Sequence, residues 1–333
     1  MWLHRFAKLV ALSTLVLILA GGMVTSTGSG LSVPDWPSSY GYFMFSFPLA
    51  YMVGGIFYEH GHRLIASTVG LLTIVLATWL WRGDSRRWLR WLGLVALGAV
   101  IIQGTLGGIT VLYFLPAPVS IAHAGIAEIF FCLTVAIALF TSPSWRHGYG
   151  ATPTGDDDAA PAGVDDAGLR RLTAGLAALV YAQIMVGATM RHTGAGLAIP
   201  DFPLAFGGLL PPEWSGPIAI HFAHRVGALL VLLTIGYTIR VVWQRHASRS
   251  ELTRPAGLLG LLVVAQVSLG AFTIWTGKAP GVNTAHVGTG ALVLVTSMVL
   301  ALRAHRVLFA SHRRHDVQRT PAVQRARSAE ASA

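Results

Sequence analysis

Residues 21–41 read GGMVTSTGSGLSVPDWPSSYG, and residues 187–207 read GATMRHTGAGLAIPDFPLAFG. Both contain TGxGLxxPDxP and both close on Gly. Two more matches follow at nearly the same offset. Glu59-His60-Gly61-His62-Arg63 aligns with His221-Phe222-Ala223-His224-Arg225. QGTLGGIT (103–110) aligns with QVSLGAFT (266–273), continuing into Ala122-His123-Ala124-Gly125 and Ala285-His286-Val287-Gly288. The chain therefore reads as two repeats in the same order.

Composition sets the medium in which the repeats fold. Of 333 residues, 53% are hydrophobic and 11% charged, and the mean hydropathy is +0.60. A soluble domain carries about 25% charged residues, so a water-facing surface cannot be built. Disorder is excluded on the same grounds. The single cysteine, Cys132, removes any internal disulfide and any thiolate metal cluster. A helix crossing the hydrocarbon core needs about 20 apolar residues, and eight such runs occur: 9–27, 61–81, 91–113, 120–141, 172–190, 218–239, 256–276 and 284–302. The expected fold is an all-α integral membrane protein whose eight transmembrane helices form two duplicated four-helix bundles. Four spans per half give both halves the same orientation, about an axis along the membrane normal. The first run resembles a signal peptide, but its repeat partner is internal, so it is expected to be retained.

The net charge of +10 comes from 24 basic residues, 22 of them Arg. Their clustering between apolar runs argues for topology rather than nucleic acid. Twenty fall on one side of the eight runs; Arg63, Arg191, Arg225 and Lys278 fall on the other. The positive-inside rule makes both termini cytoplasmic. The expected organisation is an N-terminal bundle (1–141), a cytoplasmic linker (142–171) with five aspartates, a C-terminal bundle (172–302) and a basic cytoplasmic tail (303–333).

His62, His123, His224 and His286 recur by the repeat, each near the outer end of its helix. Ionisable groups inside a membrane are costly and mark function. No Cys, Asp or Glu set completes a zinc site, which takes three or four protein ligands. Two imidazoles with nothing else suit haem iron, whose macrocycle supplies the other ligands. The nearby glycines (Gly104, Gly107, Gly108, Gly125, Gly270, Gly288, Gly290) would let a flat ring approach the backbone, or simply help helices pack. Arg63 and Arg225 follow repeated histidines and are expected to contact haem propionates, with snorkelling to lipid phosphate as the alternative. Glu59 and His221 are matched positions three residues before a repeated His, on the same helix face. Glu59 is a candidate proton-transfer or charge-stabilising group; pairing with Arg63 is the alternative. His60 reads as an interfacial or loop residue, His192 as a loop residue, and Glu128 as a buried hydrogen-bonded acid or proton relay.

On Glu59-x-x-His62-Arg63, His224-Arg225, His123, His286 and the two PDxP loops, the chain resembles the haem A synthase family over roughly residues 9–302. The resemblance implies a membrane oxidoreductase of cytochrome oxidase assembly. It would oxidise the C8 methyl of haem O to the formyl group of haem A, through an alcohol and a hydrate that loses water. It further implies that His62 and His123 are axial ligands of the substrate haem and that Glu59 is the catalytic carboxylate. His224 and His286 would be axial ligands of a haem b cofactor. Candidate partners are haem O, the lipid bilayer, the prenyltransferase that forms haem O, an electron donor and a second copy of the chain. The implied location is the bacterial inner membrane, with the haem sites toward the outer face. One departure stands out: many family members carry a cysteine pair in the first outer loop, but residues 25–58 contain none. The competing readings are a di-haem b electron carrier and a haem transporter. The first would place haems near both faces, the second would bind near the midplane.

Overall fold

The computed structural model describes residues 1–147 and 165–306. Among these the chain is helical, with two isolated β-bridges, Ser39–Tyr42 and Ala205–Gly208. Eight long apolar helices are present: α1 (Trp2–Ser26), α2 (Gly54–Gly83), α3 (Arg87–Leu112), α4 (Ala117–Thr141), α6 (Ala167–His192), α7 (Gly216–His246), α8 (Ser250–Trp275) and α9 (Pro280–Ala304). A short α5 (Pro143–His147) follows α4. The helices outrun the apolar runs. α2 starts at Gly54 and α7 continues to His246, because hydrogen bonding carries a helix beyond the hydrocarbon core into the polar layer. For the same reason His192 is the last residue of α6, not part of a loop. The linker expected over 142–171 overlaps α5 and the first turn of α6. Its residues 148–164, and the tail from 307, lie outside the described residues.

Local signals set the helix starts. Asp166 caps α6 by accepting the Leu169 N–H at 2.9 Å. Ser215 caps α7, and prolines occupy the first turns of α4, α7 and α9, where the missing N–H costs nothing.

In each half the four long helices close a ring. α1 packs on α2 and α4, and α3 on α2 and α4; α6 packs on α7 and α9, and α8 on α7 and α9. The halves meet where α1 touches α9, α4 touches α6, and α4 touches α9. α4 and α9 are the central helices: 56% of their apolar windows is buried, against 17–28% for the others. The seam depends on small residues. A Cβ at Gly125 would lie 2.8 Å from Met185 Sδ, and one at Gly288 would lie 2.5 Å from Leu19 Cδ2. Such close backbone approach is how membrane helices gain packing energy where lipid supplies no hydrophobic drive. Outward faces carry exposed apolar side chains such as Leu71, Ile101, Leu233 and Leu261.

Asp84, between α2 and α3, pairs with Arg86 at 2.7 Å and Arg146 at 2.8 Å. Burial pushes its carboxyl up, but hydrogen bonds and charge from Arg86, with Arg146, outweigh this and bring the pKa to about 2. Arg86 also donates to the Phe140 carbonyl, and Arg306 to that of Trp145. These bonds tie the α2–α3 turn, the end of α4 and the end of α9 at one basic end of the molecule.

Candidate active site

At the opposite end lie two loops, between α1 and α2 and between α6 and α7. They are built alike. Asp35 accepts the N–H groups of Tyr40 (2.6 Å) and Gly41 (2.9 Å); Asp201 accepts those of Phe206 (2.8 Å) and Gly207 (2.7 Å). Both turns place an aromatic residue and then Gly at positive φ: Tyr40 and Gly41 at 51° and 76°, Phe206 and Gly207 at 56° and 78°. Glycine is the residue that adopts this region without strain. Burial works against the Asp35 carboxylate, but the Gly41 and Tyr40 amides and the Ser38 hydroxyl hold its pKa below the ordinary value.

The arginines clamp these loops to the helices below. Arg63 donates through Nη1 to the carbonyls of Asp35 (2.7 Å) and Ser38 (3.0 Å), and through Nη2 to Val33 (2.8 Å) and to Glu59 Oε1 (2.7 Å). Arg225 donates to Leu204 (2.7 Å), Ile199 (3.2 Å) and Asp201 (2.6 Å). All four terminal donors of Arg63 are thus engaged, and its reach toward a propionate is confined to Nε. The Nε of Arg225 is buried and has no partner.

Glu59 and His221 perform the same structural task with different chemistry. Glu59 Oε2 accepts the Val33 amide at 2.7 Å, and His221 Nδ1 faces the Ile199 amide at 3.2 Å. Glu59 is buried in a 2.7 Å ion pair with Arg63. His60 is buried behind the first loop, with Nδ1 2.9 Å from Ser39 Oγ and its ring against Phe47.

The four repeated histidines sit six or eight residues in from the starts of α2, α4, α7 and α9. At 1.5 Å rise per residue that is roughly 9–12 Å of depth, all at the end away from the basic cluster. Each imidazole lies against a glycine of a neighbouring helix. A Cβ at Gly21 would meet His62 Cε1 at 3.0 Å, at Gly107 His123 at 3.2 Å, at Gly187 His224 at 2.8 Å, and at Gly270 His286 at 3.2 Å. The ring centroids of His224 and His286 are 6.4 Å apart. Two imidazole–metal bonds of about 2 Å each, plus the ring radii, span a similar distance. His62 and His123 stand within electrostatic range of each other, and the buried Nδ1 atoms of both lack partners. In the second half Gln183 Nε2 lies 2.9 Å from His224 Nδ1 and 2.7 Å from the His224 carbonyl. His286 Nδ1 lies 3.1 Å from the Gln266 carbonyl. Among the described residues no group of three or more His, Cys, Asp or Glu could hold a metal ion. Two imidazoles per half, each cradled by a glycine and with no third protein ligand beside them, are a donor set that would fit a haem iron.

Of the glycines named from the sequence, Gly104 has nothing within 4 Å of a Cβ built there, and the others divide by task. Gly107 and Gly270 seat imidazoles, Gly108 seats the Trp36 indole, Gly125 and Gly288 form the seam, and Gly290 faces Gln266. Sequence reasoning missed Gly21 and Gly187, although each lies at the start of a repeated stretch. It also missed Gln183, whose counterpart Leu17 carries no polar group to flag it. Glu128 is buried on α4 near Tyr181 and Cys132, with Oε2 unpartnered.

A family model described as cytochrome oxidase assembly protein matches residues 4–299. The chain belongs to the cytochrome oxidase assembly protein family. Three relatives are each named heme A synthase. That of Symbiobacterium thermophilum is 32% identical over 261 residues, covering 77% of this chain and 80% of the relative. That of Halalkalibacterium halodurans is 28% identical over 284 residues, covering 83% and 89%. That of Rhizobium etli is 28% identical over 315 residues, covering 82% and 81%. The family match runs from the first turn of α1 to within the last two turns of α9, so it takes in both loops and all four histidines of this cytochrome oxidase assembly protein.

Proposed function

We propose that the chain is a haem A synthase that oxidises the C8 methyl of haem O to a formyl group, supplying haem A to terminal oxidases. The observation that carries this reading is the set of four histidines at matched depth, two per half, each set against a glycine. His62 and His123 hold and orient haem O as substrate, and His224 and His286 hold a resident haem b. Haem, when bound by these histidines, would supply the one-electron redox chemistry.

The residues of the first half do the positioning. Glu59 lies three residues before His62 on the same face, and keeps a carboxylate at the substrate edge. A low-dielectric site strengthens the effect of such a charge on electron-poor character at the methyl carbon, and the 2.7 Å pair with Arg63 offsets part of it. Its oxygens are oriented by the Val33 amide and Arg63, so little reorganisation is needed. The first loop, clamped by Arg63, keeps bulk water off the site. Arg225 retains Nε for a propionate. Both termini are cytoplasmic in the bacterial inner membrane, and the haem sites lie toward the outer face.

The test is co-expression with a haem O source, followed by extraction of the protein's haems. Haem A and haem O beside haem b is the expected result, and Glu59→Gln should shift the balance to haem O while haem b is kept. Haem b alone in the wild type would overturn the reading in favour of an electron carrier.

A further inference from the structure

A basic side chain outside the repeated motif occupies the seam between the halves. Arg191 is in the last turn of α6, one turn beyond Gly187, the glycine that faces His224. Residues four apart share a helix face, so Arg191 leaves α6 on the side of the second-half site. Its Nη2 crosses to the first half and donates to the Gly22 carbonyl at 3.0 Å and Ser26 Oγ at 2.9 Å. Ser26 in turn meets Thr284 Oγ1 and the Asn283 amide on α9. Among the described residues no carboxylate pairs with Arg191, and its Nη1 and Nε make no hydrogen bond. It stands within electrostatic range of His286.

A partly buried guanidinium in an apolar bundle, held only by neutral acceptors, is an uncompensated charge, and such charges are expensive. The aligned residue of the first half is Thr25, so the cation belongs to one site only. Arg225, the other basic group near that site, has Nη1 and Nη2 engaged by three loop carbonyls and keeps only Nε for a second propionate.

We propose that Arg191 is the receptor for a carboxylate of the haem held by His224 and His286, pairing one propionate at the seam between the two halves. The inference rests on the haem reading above. A guanidinium–carboxylate pair is among the stronger charge-assisted hydrogen bonds, and it would give the second half a preference for a free-acid haem. A lipid phosphate at the outer surface could satisfy the same chemistry, but its binding would not depend on the acid groups of a haem.

Apoprotein purified from haem-depleted cells is titrated with iron protoporphyrin and, separately, with its dimethyl ester. The second-half signal is the part of the bis-imidazole spectrum that His286→Ala removes. Wild type should bind the free acid about tenfold more tightly than the ester. Arg191→Gln should cut that preference by about threefold or more, leaving what Arg225 supplies, and Arg191→Lys should keep most of it. A merely structural role would weaken both haems equally. Equal affinities in the wild type, or an unchanged preference in Arg191→Gln, would overturn the proposal. If Arg191→Gln takes up neither haem, the wild-type preference and its survival in Arg191→Lys decide. Failure of the ligand reading looks different: His224→Ala and His286→Ala would then bind both haems as wild type does.

Discussion

The two halves share a frame and differ in how their histidines are held. In the first half the Nδ1 atoms of His62 and His123 are buried and make no full hydrogen bond, although the Leu17 and Gln103 backbone stands beside them. In the second, His224 is gripped by Gln183 and His286 faces the Gln266 carbonyl. Hydrogen bonds to the second nitrogen of an imidazole set its plane and tautomer before a metal arrives. At His224 the difference is made by a pair of substitutions. Gln183 and Gly227 replace Leu17 and Ile65 of the first half, and a Cβ at Gly227 would overlap Gln183 Oε1. The contact peculiar to the second half is that of Gln183 with His224, which fixes this imidazole more firmly than its counterpart His62. Below both loops the same amide is bound by a carboxylate in one half and an imidazole in the other. The two loops thus share a scaffold while the side chain beneath them differs.

The largest expected effect breaks the comparison at the histidines. His224→Ala or His286→Ala should abolish the resident haem b spectrum, whereas His62→Ala should leave it in place and stop haem A formation. Optical spectra of the purified variants read both; equal loss of haem b in all three would collapse the distinction between halves. Next comes the matched pair below the loops. Glu59→His should lower haem A output by about 100-fold or more with the first loop still closed, because the imidazole can take the Val33 amide as His221 takes that of Ile199. His221→Glu should leave haem A output near normal. Haem extraction after co-expression measures both, and normal output from Glu59→His would remove the carboxylate from the mechanism.

A third, smaller effect concerns the glycines. Gly187→Ala places a methyl 2.8 Å from His224 Cε1, and overpacking of this kind costs about 1–3 kcal/mol. The expected result is a shifted low-spin signal and a lower thermal midpoint, with Gly107→Ala milder because its clearance is 3.2 Å. If Gly107→Ala proves the more damaging, the glycines do not act through the rings. The smallest effect lies at the basic end. The Asp84 pKa of about 2 is below its unfolded value, so its stabilisation is complete above roughly pH 4 and is lost as pH falls from there toward 2. With screening at the membrane surface this amounts to about 1 kcal/mol. Asp84→Asn should flatten the acid limb of the thermal midpoint over that window while leaving both haem sites intact.

Much of this was legible in the chain itself. Eight apolar runs can only be satisfied as helices, because the hydrocarbon core offers backbone groups no other partner. The matched TGxGLxxPDxP stretches located the two loops, which lie at the end of the bundle nearest the four histidines. The four histidines stood out because an imidazole in such a run has no bland explanation when it recurs at the same depth.

Tertiary structure alone decided what each polar group touches. The propionate role expected of Arg63 had to yield most of its donors to Asp35, Ser38, Val33 and Glu59, since a guanidinium's partners depend on loop backbone folded back from some 25–30 residues away. Glu59 was visible as a carboxylate one turn from His62, but its ion pair and its bond to Val33 required the loop to close. Gln183 and Arg191 break the repeat, so comparison of the halves passed over them. Their partners His224, Gly22 and Ser26 lie on other helices. Sequence determined the spans, the repeat and the histidines, because hydrophobic length and internal matching are properties of the chain. The hold of Gln183 on His224 and of Arg63 on the first loop was decided by helix packing, because hydrogen bonding depends on distances of a few tenths of an ångström between residues far apart in sequence.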